Sequence, residues 1–265
     1  MQVKIIGAHQ SETAQYRFPT ILVDGGLAID AGSLASGLSL DEQLNVTNVL
    51  ITHQHWDHVK DLNGFGFNLY SKFGSGAGPI SAALFCTDEV KAVLEKQTLS
   101  PSVWMDFFNM PDAVHPTFVH RSVQANAEYF VGQFTVKAIP ANHSVPTLGY
   151  QLTDSRGKRF FYTGDNGPGA GQYWVNADPT VLVTECTFSN AMASIDNGKM
   201  YGHLCPRQLQ SELETFQSRK GYLPIVCLIH VNPFYEAAIR AEVAQVAKNL
   251  NAQIEVANEG TSFSL

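Results

Sequence analysis

Short apolar runs broken by Gly, Asp and Asn turns dominate the first part of the chain. Val3–Ile6, Thr20–Val23 and Leu27–Asp30 read as strands, the last two joined by Asp24-Gly25-Gly26, a strong hairpin signal. A polar helical stretch follows near Leu40–Leu44, then a strand over Val46–Thr52. Residues 64–80 alternate glycine with aromatics (Gly64, Phe65, Gly66, Phe67, Tyr70, Phe73, Gly74) and read as a long functional loop. Asp88–Gln97 is expected to be a helix, with two acids in its first turn, and Pro101–Arg121 to be irregular. Strands at Tyr129–Phe130 and Phe134–Ile139 lead to a second hairpin, Leu148–Thr153 and Lys158–Tyr162 around Asp154–Gly157. Thr180–Val183, Ile225–Val231 and Gln253–Val256 are further strands. Pro206 opens a helix to about Arg219, and Phe234–Leu250 has helical spacing at Ile239, Val243, Val246 and Leu250. The order is β-rich first and mixed later, which implies two sheets with helices packed outside. No linker, charge block or repeat divides the chain, so residues 1–265 are expected to form one domain.

Composition narrows this picture. Charged residues are 15% and apolar ones 45%, which excludes intrinsic disorder. No apolar run approaches the ~20 residues of a membrane-spanning helix. Met1–His9 lacks the apolar core and cleavage site of a signal peptide. The four cysteines show no CxxC spacing, which fits a reducing compartment; a cytoplasmic location is the expectation. A net charge of −7 repels polyanions and disfavours a large nucleic-acid partner.

The histidines change the picture most. Three of nine fall in one hexapeptide, His53-Gln54-His55-Trp56-Asp57-His58, at the end of the strand Val46–Thr52. Residues i and i+2 of extended chain point the same way, so His53 and His55 can grip one cation. Asp57 and His58, beyond a bend, face a second. Imidazole nitrogen and carboxylate oxygen are zinc ligands. His143, Asp165 and His230 each lie just past an expected strand, where mixed α/β proteins gather their sites. These seven groups fit two metal ions with one carboxylate bridging. His9, His115 and His120 lie outside the pattern and read as structural or surface groups.

This pattern resembles the metallo-β-lactamase superfamily: His-x-His-x-Asp-His, then a distant His, an Asp and a last His, over residues 53–230, with Leu27–Gly32 also fitting. The resemblance implies a four-layered αββα sandwich with a dinuclear site at one edge. It also implies that His53, His55 and His143 bind one metal, Asp57, His58 and His230 the other, and that Asp165 bridges them. Zinc is the default pair of divalent ions, with manganese or iron also suiting such ligands.

Position 165 is Asp where the β-lactamases proper carry Cys. Thr184-Glu185-Cys186-Thr187-Phe188 and Tyr201-Gly202-His203-Leu204 are similar to motifs of the phosphodiesterase branch, which includes ribonuclease Z and the class II cyclic-nucleotide phosphodiesterases. That similarity implies hydrolysis by a hydroxide shared between two metals, with Asp57, His203 and Glu185 as the catalytic residues, His203 as general acid and Glu185 orienting it. The 22 residues from His143 to Asp165 leave no room for the basic arm common in ribonuclease Z, and Leu204 replaces its usual Ser or Thr. A small phosphodiester, either a cyclic nucleotide or a short oligonucleotide, is therefore the expected substrate, with Trp56 as a candidate base-stacking residue. The alternatives are a dimetal hydrolase of a lactone, ester or thioester, an armless tRNA 3′-processing endonuclease, and a non-catalytic metal-binding module. The surface permits a homodimer.

Overall fold

Successive residues of a strand face opposite sides of a sheet. In the central strands of this chain both sides are buried, so those strands must be covered twice. The computed structural model, which describes residues 1–76, 78, 80–195 and 202–265, meets that demand with four layers. Its strands are β1 (Gln2–Gly7), β2 (Thr20–Val23), β3 (Leu27–Ile29), β4 (Asn48–Leu50), β5 (Ala82–Cys86), β6 (Phe118–Ser122), β7 (Glu128–Val131), β8 (Phe134–Ala141), β9 (Thr147–Thr153), β10 (Arg159–Tyr162), β11 (Val181–Glu185), β12 (Ile225–Ile229), β13 (Ile254–Val256) and β14 (Ser262–Ser264). They form two seven-stranded sheets, ordered β14-β1-β2-β3-β4-β5-β6 and β13-β12-β11-β10-β9-β8-β7.

The alternation is visible residue by residue. Ile5, Ile21, Val23, Ile29 and Leu50 of the first sheet meet Val136, Tyr150, Phe160, Tyr162, Val183 and Ile229 of the second in the central core. Their neighbours Ile6, Leu22, Ala28 and Val49 face outward onto α3 (Leu62–Gly74) and α4 (Asp88–Val93), which continues as a π-helical turn over Leu94–Thr98. Phe161, Leu182, Val226 and Leu228 face outward onto α5 (Gly171–Trp174), α7 (Pro206–Lys220) and α8 (Glu236–Leu250). Shorter helices are α1 (Leu40–Asn45), α2 (Trp56–Val59) and α6 (Asn190–Ile195). No helix among the described residues is long and apolar enough to cross a membrane.

Two expectations are corrected. Residues 64–80 are not a long loop: α3 covers them to Gly74, burying Leu62, Phe65, Gly66 and Leu69 at helical spacing. A Cβ on Gly66 would lie 2.8 Å from Phe107 and 2.9 Å from Phe118, so this glycine marks close packing of a helix rather than a break in one. Pro101–Arg121 is also not wholly irregular, because β6 begins at Phe118 and pairs in parallel with β5. β5 and β14, which the alternation pattern did not reveal, complete the first sheet.

Strands β3 to β6 run parallel, as do β10 to β13. The segments that leave β4, β8, β10, β11 and β12 converge at one edge of the sandwich, where the candidate site lies.

Candidate metal centre

His53 and His55 follow β4, and His55 (φ −61°, ψ 147°) is the residue from which α2 turns away. That turn brings Asp57 and His58 round to the same space, with His58 Nε2 3.7 Å from Asp57 Oδ2. Asp165, past β10, is the hub. Its Oδ1 is 3.3 Å from His58 Nε2, and its Oδ2 is 3.8 Å from His53 Nε2, 3.8 Å from His143 Nε2 and 3.6 Å from His230 Nε2. His143 Nε2 is 3.1 Å from His55 Nδ1, and His230 Nε2 is 3.1 Å from Asp57 Oδ2. All seven residues singled out in the sequence therefore meet. They fall into two sets whose ligand atoms each lie within 4.8 Å of one another: His53, His55, His143 and Asp165, and Asp57, His58 and His230.

Each inward nitrogen is set by what the other nitrogen does. Thr52 Oγ1 donates to Asp30, so it accepts from His53 Nδ1 at 2.9 Å. Thr187 Oγ1 donates to Glu185 Oε2 at 2.5 Å and accepts from His230 Nδ1 at 2.8 Å. These are two carboxylate–hydroxyl–imidazole relays, one for each sheet. His58 Nδ1 bonds Asp30 directly at 2.7 Å, and His143 Nδ1 donates to the Gly202 carbonyl at 3.0 Å. All four histidines thus turn Nε2 inward, the nitrogen that would serve as ligand once it carries no proton. Gly202 must be glycine: its φ is +81°, and a Cβ would lie 3.0 Å from His143 Nδ1.

Whether a metal fits is decided by atoms with nothing to bond. His53 Nε2, His58 Nε2 and Asp165 Oδ1 are buried and lack a hydrogen-bond partner, although such groups are normally satisfied. All three point into the cluster. Electrostatics agree. Burial, with His58 close by, holds His53 well below the usual imidazole range, and burial likewise lowers His55 and His143, so these three are neutral as ligands must be. Burial would also lower His58, but Asp165, Asp30 and Asp57 push it well above its usual value. The carboxylates demand a positive charge there, and the proton on His58 supplies it until a cation does. The donor set suits divalent metal ions.

His203 stands beside this cluster. Its ring stacks on His230 at 5.0 Å and lies 5.2 Å from His143. Its Nδ1 is 2.9 Å from Glu185 Oε1 and 3.9 Å from Asp165 Oδ2. His203, Asp165 and His230 also fall within ligand reach of one another. The proton on Nδ1 is committed to Glu185, however, so that nitrogen has no lone pair for an ion. Glu185 is buried, and it also accepts from the backbone N–H groups of Asn166 at 2.9 Å and Leu204 at 3.3 Å. Solvent reaches the cluster from the His203 and Asp57 side: their side chains are 11% and 23% exposed, against 0–2% for His53, His58, Asp165 and His230.

Trp56 is 58% exposed beside Asp57. His9, His115 and His120 lie outside the cluster. Tyr201 falls outside the described residues. Sequence reasoning gave no role to Asp30, Thr52 or Thr187, although Leu27–Gly32 and Thr184–Phe188 were singled out as stretches. Asp30 is a carboxylate ending an apolar strand, and it is fully buried with φ +58°.

A sandwich of this kind, with histidines and aspartates gathered at one edge of its sheets, has the metallo-β-lactamase fold, and its class is the metal-dependent hydrolases. Residues 20–231 match the family model described as Beta-lactamase superfamily domain, and the chain belongs to that family. Its fold is similar to that of yeast PDE1 (TM-score 0.81, 16% identity, 100% of this chain and 99% of that one). It is also similar to the metallo-β-lactamase fold protein YhfI from Bacillus subtilis (TM-score 0.76, 17% identity, 99% and 98%). By sequence it is 30% identical over 149 residues to the anti-Pycsar protein Apyc1 of Paenibacillus harenae. That match spans 55% of this chain and 55% of the relative, about half the length of each.

Proposed function

We propose that residues 1–265 act as one dimetal phosphodiesterase domain on a small phosphodiester, a cyclic nucleotide or a short oligonucleotide. The observation that carries this reading is the His203–Glu185 pair: a carboxylate-oriented imidazole on the solvent side of the cluster, not needed to hold an ion. His53, His55 and His143 would hold one ion, and Asp57, His58 and His230 the other, with Asp165 between them and zinc the default. When bound, such a pair neutralises charge on phosphoryl oxygens and lowers the pKa of a bound water.

The chain's own groups do the rest. Glu185 fixes Nδ1 of His203 and leaves Nε2 to present a proton to the departing sugar oxygen. Burial works against a charged His203, but the Glu185 carboxylate outweighs it and raises the pKa to about 9, so the proton is available at neutral pH. Trp56 offers an exposed ring on which a base can stack. Between His143 and Asp165 runs only β9, the turn at Asp154–Gly157 and β10, which supports a small substrate over a tRNA.

The metal-loaded protein is expected to turn over bis(p-nitrophenyl) phosphate or cyclic nucleotides and to leave lactones and thioesters untouched. Robust lactone turnover with no diester activity would overturn the reading. A second expectation concerns Glu185. In Glu185→Gln the charge that favours the imidazolium is gone, so the high-pH limb of the rate profile moves to lower pH. Turnover falls by about 10–100-fold, the usual effect of an orienting partner. An unmoved limb would mean that Glu185 does not act through His203.

A further inference from the structure

His230 does not lie in an ordinary strand conformation. It ends β12 with φ +60°, a left-handed backbone that a non-glycine residue adopts only when its surroundings enforce it. Asn232 N–H donates to Thr187 O at 3.1 Å on one side of it, and the rest of the hold comes from the opposite sheet. Past the end of β1, His9 pairs with Val231 in an isolated parallel bridge: Val231 N–H donates to Ala8 O at 3.1 Å, and Gln10 N–H donates to Val231 O at 3.1 Å. Asn232 Nδ2 adds a bond to Gln10 Oε1 at 3.0 Å. The residue after His230 is thus strapped to the N-terminal segment.

The His9 side chain locks that strap. It is 1% exposed, and Nδ1 is 2.7 Å from Glu259 Oε1, which also accepts from the Arg17 N–H at 2.8 Å and the Ala8 N–H at 3.4 Å. Its Nε2 is buried without a hydrogen-bond partner, 3.6 Å from Glu236 Oε2, at the first residue of α8. Tyr16 covers the ring at 4.3 Å. Three segments otherwise foreign to the site, the N-terminal strand extension, the start of α8 and the turn at Glu259, are therefore tied together around 230–236 by one imidazole.

We infer that His9 is a positioning residue for His230: bonded to Glu259 and set against Glu236, it fixes the bridge that holds the last histidine of the cluster in its left-handed turn. The inference rests on the dimetal reading and deepens it. It assigns His9 to one half of the site alone, because the bridge touches the segment that delivers His230 and none of those that deliver His53, His55 or His143.

The test is a double-mutant cycle on the full chain, using His9→Ala, His230→Ala and the pair. The affinity of each ion is read by competition with a chromophoric chelator, and folding by circular dichroism of the metal-free protein. Alone, His9→Ala is expected to weaken one ion by about 10–100-fold, the range for groups that orient a ligand, and to leave the other unchanged. In the His230→Ala background it should weaken nothing further, because the residue it acts through is gone. His9→Gln, which keeps a donor for Glu259, should recover part of the loss. Gln10→Ala, which leaves the buried ring intact, should weaken the same ion. Equal weakening of both ions, or a further loss in the His230→Ala background, would overturn the inference by marking His9 as a general packing residue. A wild-type protein that takes up no ion would instead sink the dimetal reading itself.

Discussion

Replacing His203 with alanine is expected to lower diester turnover by about 100- to 10,000-fold, the contribution of a positioned general acid, while the protein keeps its full metal content. The two halves of that outcome come from one geometry. His203 packs against His230 and His143, but its Nδ1 is taken by Glu185, and the other seven residues make two ligand sets without it. Metal analysis and steady-state kinetics on the same preparation decide the matter. If cyclic-nucleotide turnover, whose leaving oxygen is an alkoxide, survives in a fully loaded variant, the phosphodiesterase reading loses its main support. A substrate with a good leaving group, whose oxygen needs no proton, should show a smaller loss than one with an alkoxide leaving group.

Asp165→Asn should have the broadest effect. Burial would push the Asp165 carboxyl up, yet the surrounding histidines, His230 and His58 foremost, hold it well below the usual carboxylate range. One buried negative charge therefore lies within 3.8 Å of histidines from both ligand sets. With asparagine there, the residues that would hold the two ions lose that charge, and at least one ion should be lost. Turnover should drop to background. The same variant should also lose most of its response to chelators. A ligand at about a thousand times its dissociation constant stabilises by ~4 kcal/mol, so stripping the wild type should lower Tm by roughly 10 °C for a domain of this size. Asp165→Asn protein that still holds two ions with wild-type affinity would show that this aspartate is not the hub.

How much of this could be read from the residues alone follows from the range of the forces involved. The hexapeptide His53–His58 was legible because a strand followed by a tight turn fixes the relative directions of its side chains locally. His143, Asp165 and His230 were legible as strand-end residues. α7 and α8 announced themselves by a proline start and by helical spacing. Other features depend on partners far away in the chain. The run of glycines in α3 reads as loop until Phe107 and Phe118 are seen to require Gly66. Asp30, Thr52 and Thr187 are ordinary residues in apolar strings, and only tertiary contact makes them relays to histidines. β14 is a short polar strand that exists because β1 offers it an edge.

The four histidines that turn Nε2 inward divide by sheet: His53 and His58 come from the first, His143 and His230 from the second. An ion pair clasped between them would work as a rivet that can be driven only after both plates have been brought into register. Interactions formed that late slow the escape from the native state without hastening its formation. Metal supply would then govern how long each folded molecule survives, and newly made chains would reach the same shape at the same pace with or without it.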